Sequence, residues 1–406
     1  MKKNIWIINE YAGSPYHGME FRHFYLSKEL QKLGYNPLII TASYSHLFKQ
    51  LPSVKNKFTF ENIDGVNYLW IKVPQYPQSH SKKRVLKWFN YTNSLYYLPV
   101  LKMPKPDYIL LSPMQTLPIF PVLKWAKKFN SKLIFEVKDI WPLSIIELGG
   151  YSPKHPFIRL LKYAEKVCIK KSDAIVSVLP NYSQYLKEQG FQKSAYYIPN
   201  GIDINELQTI EPLDKEIASK IPEDKFIVGY AGTIGIANAL NYLVEAAKLL
   251  KDNSNIVFIV VGNGSEKEHL IKQSEGLNNI KFLPAIPKRQ IQSLLQKFDV
   301  CYIGLEYSPL FKFGVSPNKL FDYMYASKPI VFSIYSPNNV VEQANCGIAV
   351  PPSSPKDIAE SVVKLFNMPD DERKQLGNNG KKFVLENHTF EKLAKKYSEL
   401  LEGLNK

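Results

Sequence analysis

Cysteine is scarce in this chain of 406 residues. The three present, Cys168, Cys301 and Cys346, are odd in number and stand at no metal-ligand spacing. That speaks against a disulfide framework or a thiolate zinc site and suits reduced, buried thiols of a cytosolic protein. Long apolar runs are missing too. The N-terminal MKKNIWIINEYAGS is far too short in its apolar part for a signal peptide or a spanning helix, and Ile5–Ile8 reads as a first parallel strand. Low-complexity tracts, short repeats, a G-x-G-x-x-G fingerprint and a D-x-D metal motif are all absent. Arginine is thin in the first half, with only Arg22, Arg84 and Arg159. Base reading of nucleic acid favours arginine forks, so lysine dominance argues against it.

What is present is a strong charge asymmetry. Residues 1–199 carry 28 Lys and Arg against 12 Asp and Glu, and residues 200–406 carry 24 against 25, so the net +15 resides in the first half. Such a half suits an anionic partner, a membrane surface or nucleic acid. The segment Tyr76–Lys105, which contains KKRVLKWFNYTNSLYYLPVLKMPK, mixes Lys82, Lys83 and Arg84 with Trp88, Phe89, Tyr91, Tyr96 and Tyr97. It reads as an interfacial amphipathic segment, with a core helix bearing a lysine-rich outer face as the plain alternative and single-stranded nucleic acid on aromatic platforms as a third.

Strand-like runs alternate with helical patterns throughout. Ile5–Ile8, Pro37–Thr41, Tyr108–Ser112, Lys132–Val137 and Ala174–Val178 are apolar or β-branched, and helical patterns at Met19–Leu33, Leu117–Phe129 and Phe157–Lys171 separate them. The pattern pauses at Ile198–Asp203, and the polar stretch to Asp224 reads as an interdomain linker. A second alternating set then starts at Phe226–Tyr230, and Phe390–Leu404 is a final amphipathic helix. The expectation is α/β: two doubly wound parallel sheets, with ligands at the carboxyl ends of their strands.

The stretch Phe311–Phe332 organises the second half. Its loop ends in Ser316-Pro317-Asn318, a helix follows to about Ala326, and an apolar strand closes it. Ser316 and Asn318 are good capping residues, and a helix start carrying Lys319, with Asp322 one turn on, suits the phosphates and sugar hydroxyls of one nucleotide. An ordinary capped helix with a surface ion pair is the plain alternative. YAGTIG presents Gly232, Thr233 and Gly235 between strand and helix, VVGNG adds Gly262 and Asn263, and FLPAIPKRQI offers a rim with Ile286 and Arg289. In the first half, Gly13 and Gly18 flank a loop that leads into a helix, while His17 and His23 lack partners at metal spacing. Glu136, Lys138 and Asp139 cluster where a strand ends, near a Trp-Pro turn.

Taken in order, GSPYHGMEFRHFYLSKELQKLGY, FEVKDIWPLSIIELGG, YIPNGID, YAGTIG, VVGNG and GVSPNKLFDYMYASKPIV resemble the retaining glycosyltransferases of family four, and within them a WbuB-like subgroup that builds bacterial O-antigen or capsule. The resemblance implies a GT-B fold: two Rossmann-like domains facing across a cleft, residues 1–199 on the acceptor and membrane side with 389–406 packed back on it, and 200–388 on the donor side. It implies a UDP-sugar donor, a sugar of the N-acetylated deoxyhexosamine type, an undecaprenyl-diphosphate-linked saccharide acceptor, the anionic inner membrane surface as a partner, no nucleic acid, no cofactor and no metal. It implies a cytoplasmic protein peripheral to the membrane. The second acid of the family's E-x7-E motif falls on Asp322, the ribose holder, and the first falls on Gly314, which leaves the sugar contact to the 315–318 amides. Donor contacts are then expected from Gly13, Gly232, Thr233, Gly235, Gly262, Asn263, Ile286, Arg289, Ser316, Pro317, Asn318, Leu320 and Asp322. Lys319 is expected to neutralise the leaving diphosphate, with Glu136, Lys138 and Asp139 orienting sugar or acceptor. Gly18, Arg22, Lys82, Lys83, Arg84, Trp88 and Phe89 are expected on the acceptor and membrane side. A GT-B nucleotide-sugar epimerase and a basic, non-enzymatic scaffold or nucleic-acid binder are the competing readings.

Overall fold

The computed structural model describes residues 2–18, 20–76, 82–147 and 149–405, with only the backbone described for Lys82. The expected helix start at Met19 lies outside the described residues. The chain forms two compact units, Met1–Asn200 with Phe390–Lys406, and Gly201–Thr389. Both are α/β, the first with a mainly parallel sheet that carries one antiparallel edge strand and the second with an all-parallel sheet.

The first unit holds eight strands: β1 Lys3–Ile8, β2 Tyr35–Ala42, β3 Phe58–Ile63, β4 Val66–Ile71, β5 Tyr108–Leu111, β6 Lys132–Val137, β7 Ala174–Ser177 and β8 Tyr196–Tyr197. Their order is β3-β4-β2-β1-β5-β6-β7-β8, so the strand order reverses between β1 and β5. The central strands are buried on both faces, as continuous apolar runs such as IWII and YILL require, while the edge strands β3 and β8 are largely exposed. The hairpin β3–β4 was not anticipated. It turns on Asp64-Gly65, both at positive φ (48° and 85°), the conformation that two-residue hairpins demand. The helix Arg22–Lys32 follows β1 and closes at Gly34, whose φ of 88° continues the turn that Leu33 begins. The last helix, Phe390–Gly403, belongs to this unit: Leu393, Ala394, Tyr397 and Leu401 pack with Ile5, Tyr108, Leu110 and Ile134.

The second unit holds β9 Phe226–Ala231, β10 Ile256–Val261, β11 Ile280–Leu283, β12 Val300–Gly304, β13 Ile330–Ser333 and β14 Gly347–Ala349, all parallel, in the order β11-β10-β9-β12-β13-β14. Successive residues serve opposite faces. Ile227, Ile259, Cys301 and Phe332 feed one core, and Val228, Phe258, Tyr302 and Val331 the other. The order reverses between β9 and β12, so the carboxyl end of β9 borders the crevice where open α/β sheets bind ligands.

The expected linker up to Asp224 is a correction. Residues 203–218 form two short helices capped by Asp203 and Asp214, and Leu207, Ile217 and Ile221 are buried in the second unit's core. Apolar anchors every few residues hold a segment that looks polar by composition. Residues 351–389, unassigned above, fold into helices Pro355–Asn367 and Asp370–Asn387. Among the described residues no helix is long and apolar enough to cross a membrane, and no group of three or more His, Cys, Asp or Glu is placed to hold a metal.

Candidate active site

The second unit's site grows from two turns locked together. β9 runs into Gly232–Gly235 and β10 into Gly262–Gly264. A Cβ on Gly262, whose φ is 154°, would fall 1.8 Å from the Gly232 carbonyl oxygen, and one on Gly264 would fall 2.0 Å from that of Ile234. Only glycine permits that approach. The Asn263 carbonyl accepts from the Ile234 amide at 2.9 Å. Gly262 and Asn263 therefore build the turn at 232–235 by close backbone packing.

Over this turn lies the helix Asn318–Tyr325. Leu320, Phe321, Tyr323 and Met324 face the core, spaced as an amphipathic helix requires. The Tyr323 hydroxyl accepts from the Ala231 amide at 2.9 Å and donates to the Ala231 carbonyl at 3.0 Å, which pins the helix to the end of β9. Pro317, not Ser316 or Asn318, holds the cap position, and it has no side chain that could accept a capping bond. Leu320 is likewise corrected as a donor contact: its side chain is core and its amide bonds the Pro317 carbonyl.

Lys319 is brought to the centre. Its Nζ donates to the Tyr230 hydroxyl at 2.6 Å and to Asn238 Oδ1 at 2.7 Å, and it lies 4.5 Å from the Tyr230 ring centroid. Tyr230 in turn donates to the Thr233 carbonyl at 2.6 Å. No carboxylate among the described residues pairs with Lys319, and burial lowers its pKa to about 8. A half-buried ammonium with neutral partners only is under-compensated, and an anion would relieve it. Gly232 leaves the room: a Cβ there would meet the Lys319 Cε and Nζ at 3.1 Å. Asn238 was passed over in the sequence because an uncharged residue three positions past a glycine turn carries no motif.

Asp322 sits one turn further, half-buried, with no hydrogen bond to its carboxylate among the described residues. Burial pushes its pKa up to about 6, Lys288 opposes that and Glu206 adds to it. Lys288 bonds Glu206 at 2.9 Å. Gly314 has φ 99° at the end of the short turn Pro309–Phe313, a conformation in which a glutamate would be strained. Arg289 pairs with Glu211 at 3.4 Å on the exposed surface. Ile286 packs against the core edge.

Asp322 also yields a stability expectation. A carboxyl with a raised folded-state pKa costs stability once ionised, so the penalty is absent below pH 3.8 and complete above about 6. Asp322→Asn should therefore stabilise the chain at pH 7 by up to ~3 kcal/mol, from a shift of about two units, and by little at pH 4. Urea unfolding at the two pH values checks it; an equal effect at both would refute the burial account.

The first unit rearranges several expectations. Glu136 is fully buried, not poised over substrate. It accepts from Arg22 Nε at 3.0 Å, His23 Nε2 at 2.8 Å, Ser112 Oγ at 2.5 Å and the Tyr397 hydroxyl. Every acceptor position of the carboxylate is spent. Arg22 is not an acceptor or membrane contact, because its guanidinium also holds the carbonyls of Ile198 and Pro199. Lys138 pairs with Glu20 of the 13–21 loop, and exposed Asp139 accepts from Ser144 and, at 3.1 Å, from Trp141. Gly13 is buried, its amide bonded to Glu20 and its carbonyl to Tyr68, so it offers no free backbone group. Gly18, φ 84°, closes a turn on Ser14 and packs on Lys49.

The helix Lys82–Leu95 turns its aromatic stripe inward. Lys87, Trp88, Tyr91 and Leu95 are buried, Trp88 donates to the Tyr11 hydroxyl at 2.9 Å, and Trp88 is corrected to a core residue. Lys83, Leu86 and Phe89 remain exposed, and Arg84 is half-buried beside Tyr11 and Trp88.

Comparison with known proteins supplies the rest. Residues 16–206 match the model described as Glycosyltransferase Family 4, and residues 214–383 match Glycosyl transferases group 1. An uncharacterized glycosyltransferase, MJ1069 of Methanocaldococcus jannaschii, is 29% identical over 59% of this chain and 60% of its own length, so the match spans less than two thirds of that relative. The putative colanic acid biosynthesis glycosyl transferase WcaI of Escherichia coli is 24% identical over 67% of this chain and 69% of its own. Among solved structures, sucrose-phosphate synthase of Thermosynechococcus elongatus superposes with TM-score 0.75 at 16% identity, covering 99% of both chains. Anabaena Alr3699/HepE, solved in complex with UDP, gives 0.65 at 14% identity, covering 99% of this chain and 100% of its own. These likenesses show the GT-B fold.

Proposed function

Because the chain joins a Glycosyltransferase Family 4 domain to a Glycosyl transferases group 1 domain on a GT-B fold, we propose that it transfers a sugar from a UDP-sugar to a lipid-linked saccharide, with retention at the anomeric carbon and without a metal. The observation that carries this is Lys319, an ammonium with no carboxylate partner among the described residues, in the first turn of a helix whose cap position is Pro317. In this reading the diphosphate rests on that helix start and on Lys319, and Asp322 holds the ribose hydroxyls. As the bond from the anomeric carbon to the phosphate oxygen breaks, charge grows on the leaving diphosphate and Lys319 stabilises it. The acceptor hydroxyl oxygen bonds the same carbon face, and its proton passes to the leaving phosphate oxygen. WcaI, named for colanic acid biosynthesis, supports a place in surface polysaccharide assembly, and the UDP complex of Alr3699/HepE supports UDP as the carrier.

The test is UDP release from a panel of UDP-sugars, with and without a polyprenyl-diphosphate-linked saccharide. Acceptor-dependent release with a new glycoside is expected. Donor consumption without acceptor, giving an epimer, would replace transfer by epimerisation, and indifference to every donor would end the reading.

We also place the first unit at an anionic membrane surface. The support is its charge excess together with exposed Leu86, Phe89, Tyr97 and Leu101 near Lys83 and Lys102. Vesicles containing anionic lipid should bind the protein, less so as salt shortens electrostatic reach. Equal binding to neutral vesicles would contradict it.

A further inference from the structure

One buried ionisable pair belongs to the first unit, whereas Lys319 and Asp322 belong to the second. Glu10 lies just past β1, and Lys87 reaches down from the helix Lys82–Leu95; their exposures are 1% and 0%. Both are short of partners. Glu10 Oε2 accepts from Gln115 Nε2 at 3.2 Å, but Glu10 Oε1 and Lys87 Nζ have no hydrogen bond among the described residues. The Lys87 ammonium sits 4.0 Å from the Tyr11 ring centroid. Tyr11 is also a neighbour of the Glu10 carboxyl, and its hydroxyl accepts from Arg84 Nε at 3.2 Å and from Trp88. Burial drives both charges the wrong way: it raises the Glu10 pKa against the pull of Lys87 and lowers that of Lys87 to about 8 against the pull of Glu10. A buried polar atom without a partner is costly, and two of opposite charge that feel each other's field point to a missing polar group.

The place has topological meaning. Glu10 follows β1 and Gln115 follows β5, and the strand order reverses between those two strands. That is the crevice where an open α/β sheet takes its ligand. We propose that Glu10 and Lys87 form a subsite for one hydroxyl of the acceptor saccharide, a reading that rests on the transfer proposed above. An unmet carboxylate oxygen calls for a donor and an unmet ammonium for an acceptor, and a sugar hydroxyl is both. A phosphate would satisfy Lys87 but face the Glu10 charge, and an apolar group would leave both atoms unpaired. Half-buried Arg84 bonds Tyr11 at 3.2 Å, reaches Met114 Sδ at 3.4 Å and acts electrostatically on both Glu10 and Lys87, so in this proposal its side chain shifts to admit the hydroxyl.

The test uses the full chain with UDP present and methyl glycosides of glucose, galactose, mannose and N-acetylglucosamine as probes, read by saturation-transfer NMR. At least one glycoside should bind the wild type saturably. Glu10→Gln and Lys87→Met should each weaken it roughly 10- to 100-fold, the size of one charge-assisted hydrogen bond, with hydrogen-exchange protection of the first unit's strands as the control for folding. If the lysine variant does not fold, Glu10→Gln decides alone. Wild-type affinity in the variants, or no glycoside bound by the wild type, would overturn the proposal, as would inorganic phosphate displacing the glycoside through Lys87. Loss of UDP binding in the wild type would instead strike the donor site, and the glycoside readout would still stand.

Discussion

Lys319→Met should slow sugar transfer about 100- to 1,000-fold, the usual cost of deleting one preorganised stabiliser of transition-state charge, while the chain stays folded. The same substitution should make the fold more stable. Lys319 is held by a phenol and an amide, and its pKa of about 8 lies below the ordinary 10.5 because burial disfavours the ammonium. A base with a lowered folded-state pKa costs stability while protonated, so the cost is complete below pH 8 and fades as pH rises from 8 to 10.5. Removing the charge should therefore gain about 1–3 kcal/mol at pH 7, after the lost bonds to Tyr230 and Asn238 are set against it. For the free wild-type enzyme, kcat/KM should decline as pH passes about 8, and Lys319→Arg should move that decline upward. UDP-release kinetics and urea unfolding measure both halves. Unchanged transfer in the methionine variant would remove Lys319 from the chemistry, and a loss of stability at pH 7 would refute its under-compensated state. Asn238→Ala belongs to the same argument: it frees Lys319 to sample other rotamers, so its effect should fall on kcat rather than on folding.

The second large effect is structural. Glu136→Gln should destabilise the first unit by roughly 3–5 kcal/mol, because it strands a buried Arg22 without its counter-charge. Burial alone would raise the Glu136 pKa, but Arg22 and His23 outweigh it and hold the carboxyl well below its usual range. A depressed acid contributes stability above its unfolded pKa, near 4.5, and loses it only as pH falls through the lower folded value. The Glu136 contribution should thus persist at pH 5 and vanish in stronger acid. Tyr397 donates to the same carboxylate from the helix Phe390–Gly403. Hydrogen exchange in residues 390–403 should accelerate in the variant before the rest of the first unit opens. The double variant Arg22→Met/Glu136→Leu should lose less than Glu136→Gln, since no charge is left unpaired. Full stability in Glu136→Gln would mean that solvent reaches Arg22 and that the network is not dry.

Much of the fold was legible because it depends on local order. Apolar strands of four to eight residues, separated by helical patterns and glycine stops, state a parallel α/β sheet twice over. The Asp64-Gly65 hairpin was equally legible and was missed, although the dipeptide sits between apolar runs. The start of the Pro355–Asn367 helix, where Ser354 accepts from the Asp357 amide and Pro355 opens the first turn, carries the same kind of unread signal. The stripe Trp88, Tyr91, Leu95 shows the limit. Its spacing reveals one face of a helix, but not whether that face meets a membrane or a sheet. The presence of Tyr11 beneath it decides.

The sequence by itself determined the alternation of elements, the two sheets, the charge excess of the first half and the candidacy of Lys319 and Asp322. All of these follow from spacing and composition along the chain. Tertiary structure alone decided which charges are spent and which are left over. Glu136 and Arg22 look like surface chemistry in one dimension and prove to be a sealed pair tied to a helix 261 residues away. Lys319, Glu10 and Lys87 prove to be under-partnered. The reason is physical: a side chain's protonation and availability are set by what surrounds it within a few ångströms, and those neighbours arrive from distant parts of the chain only when the sheets close.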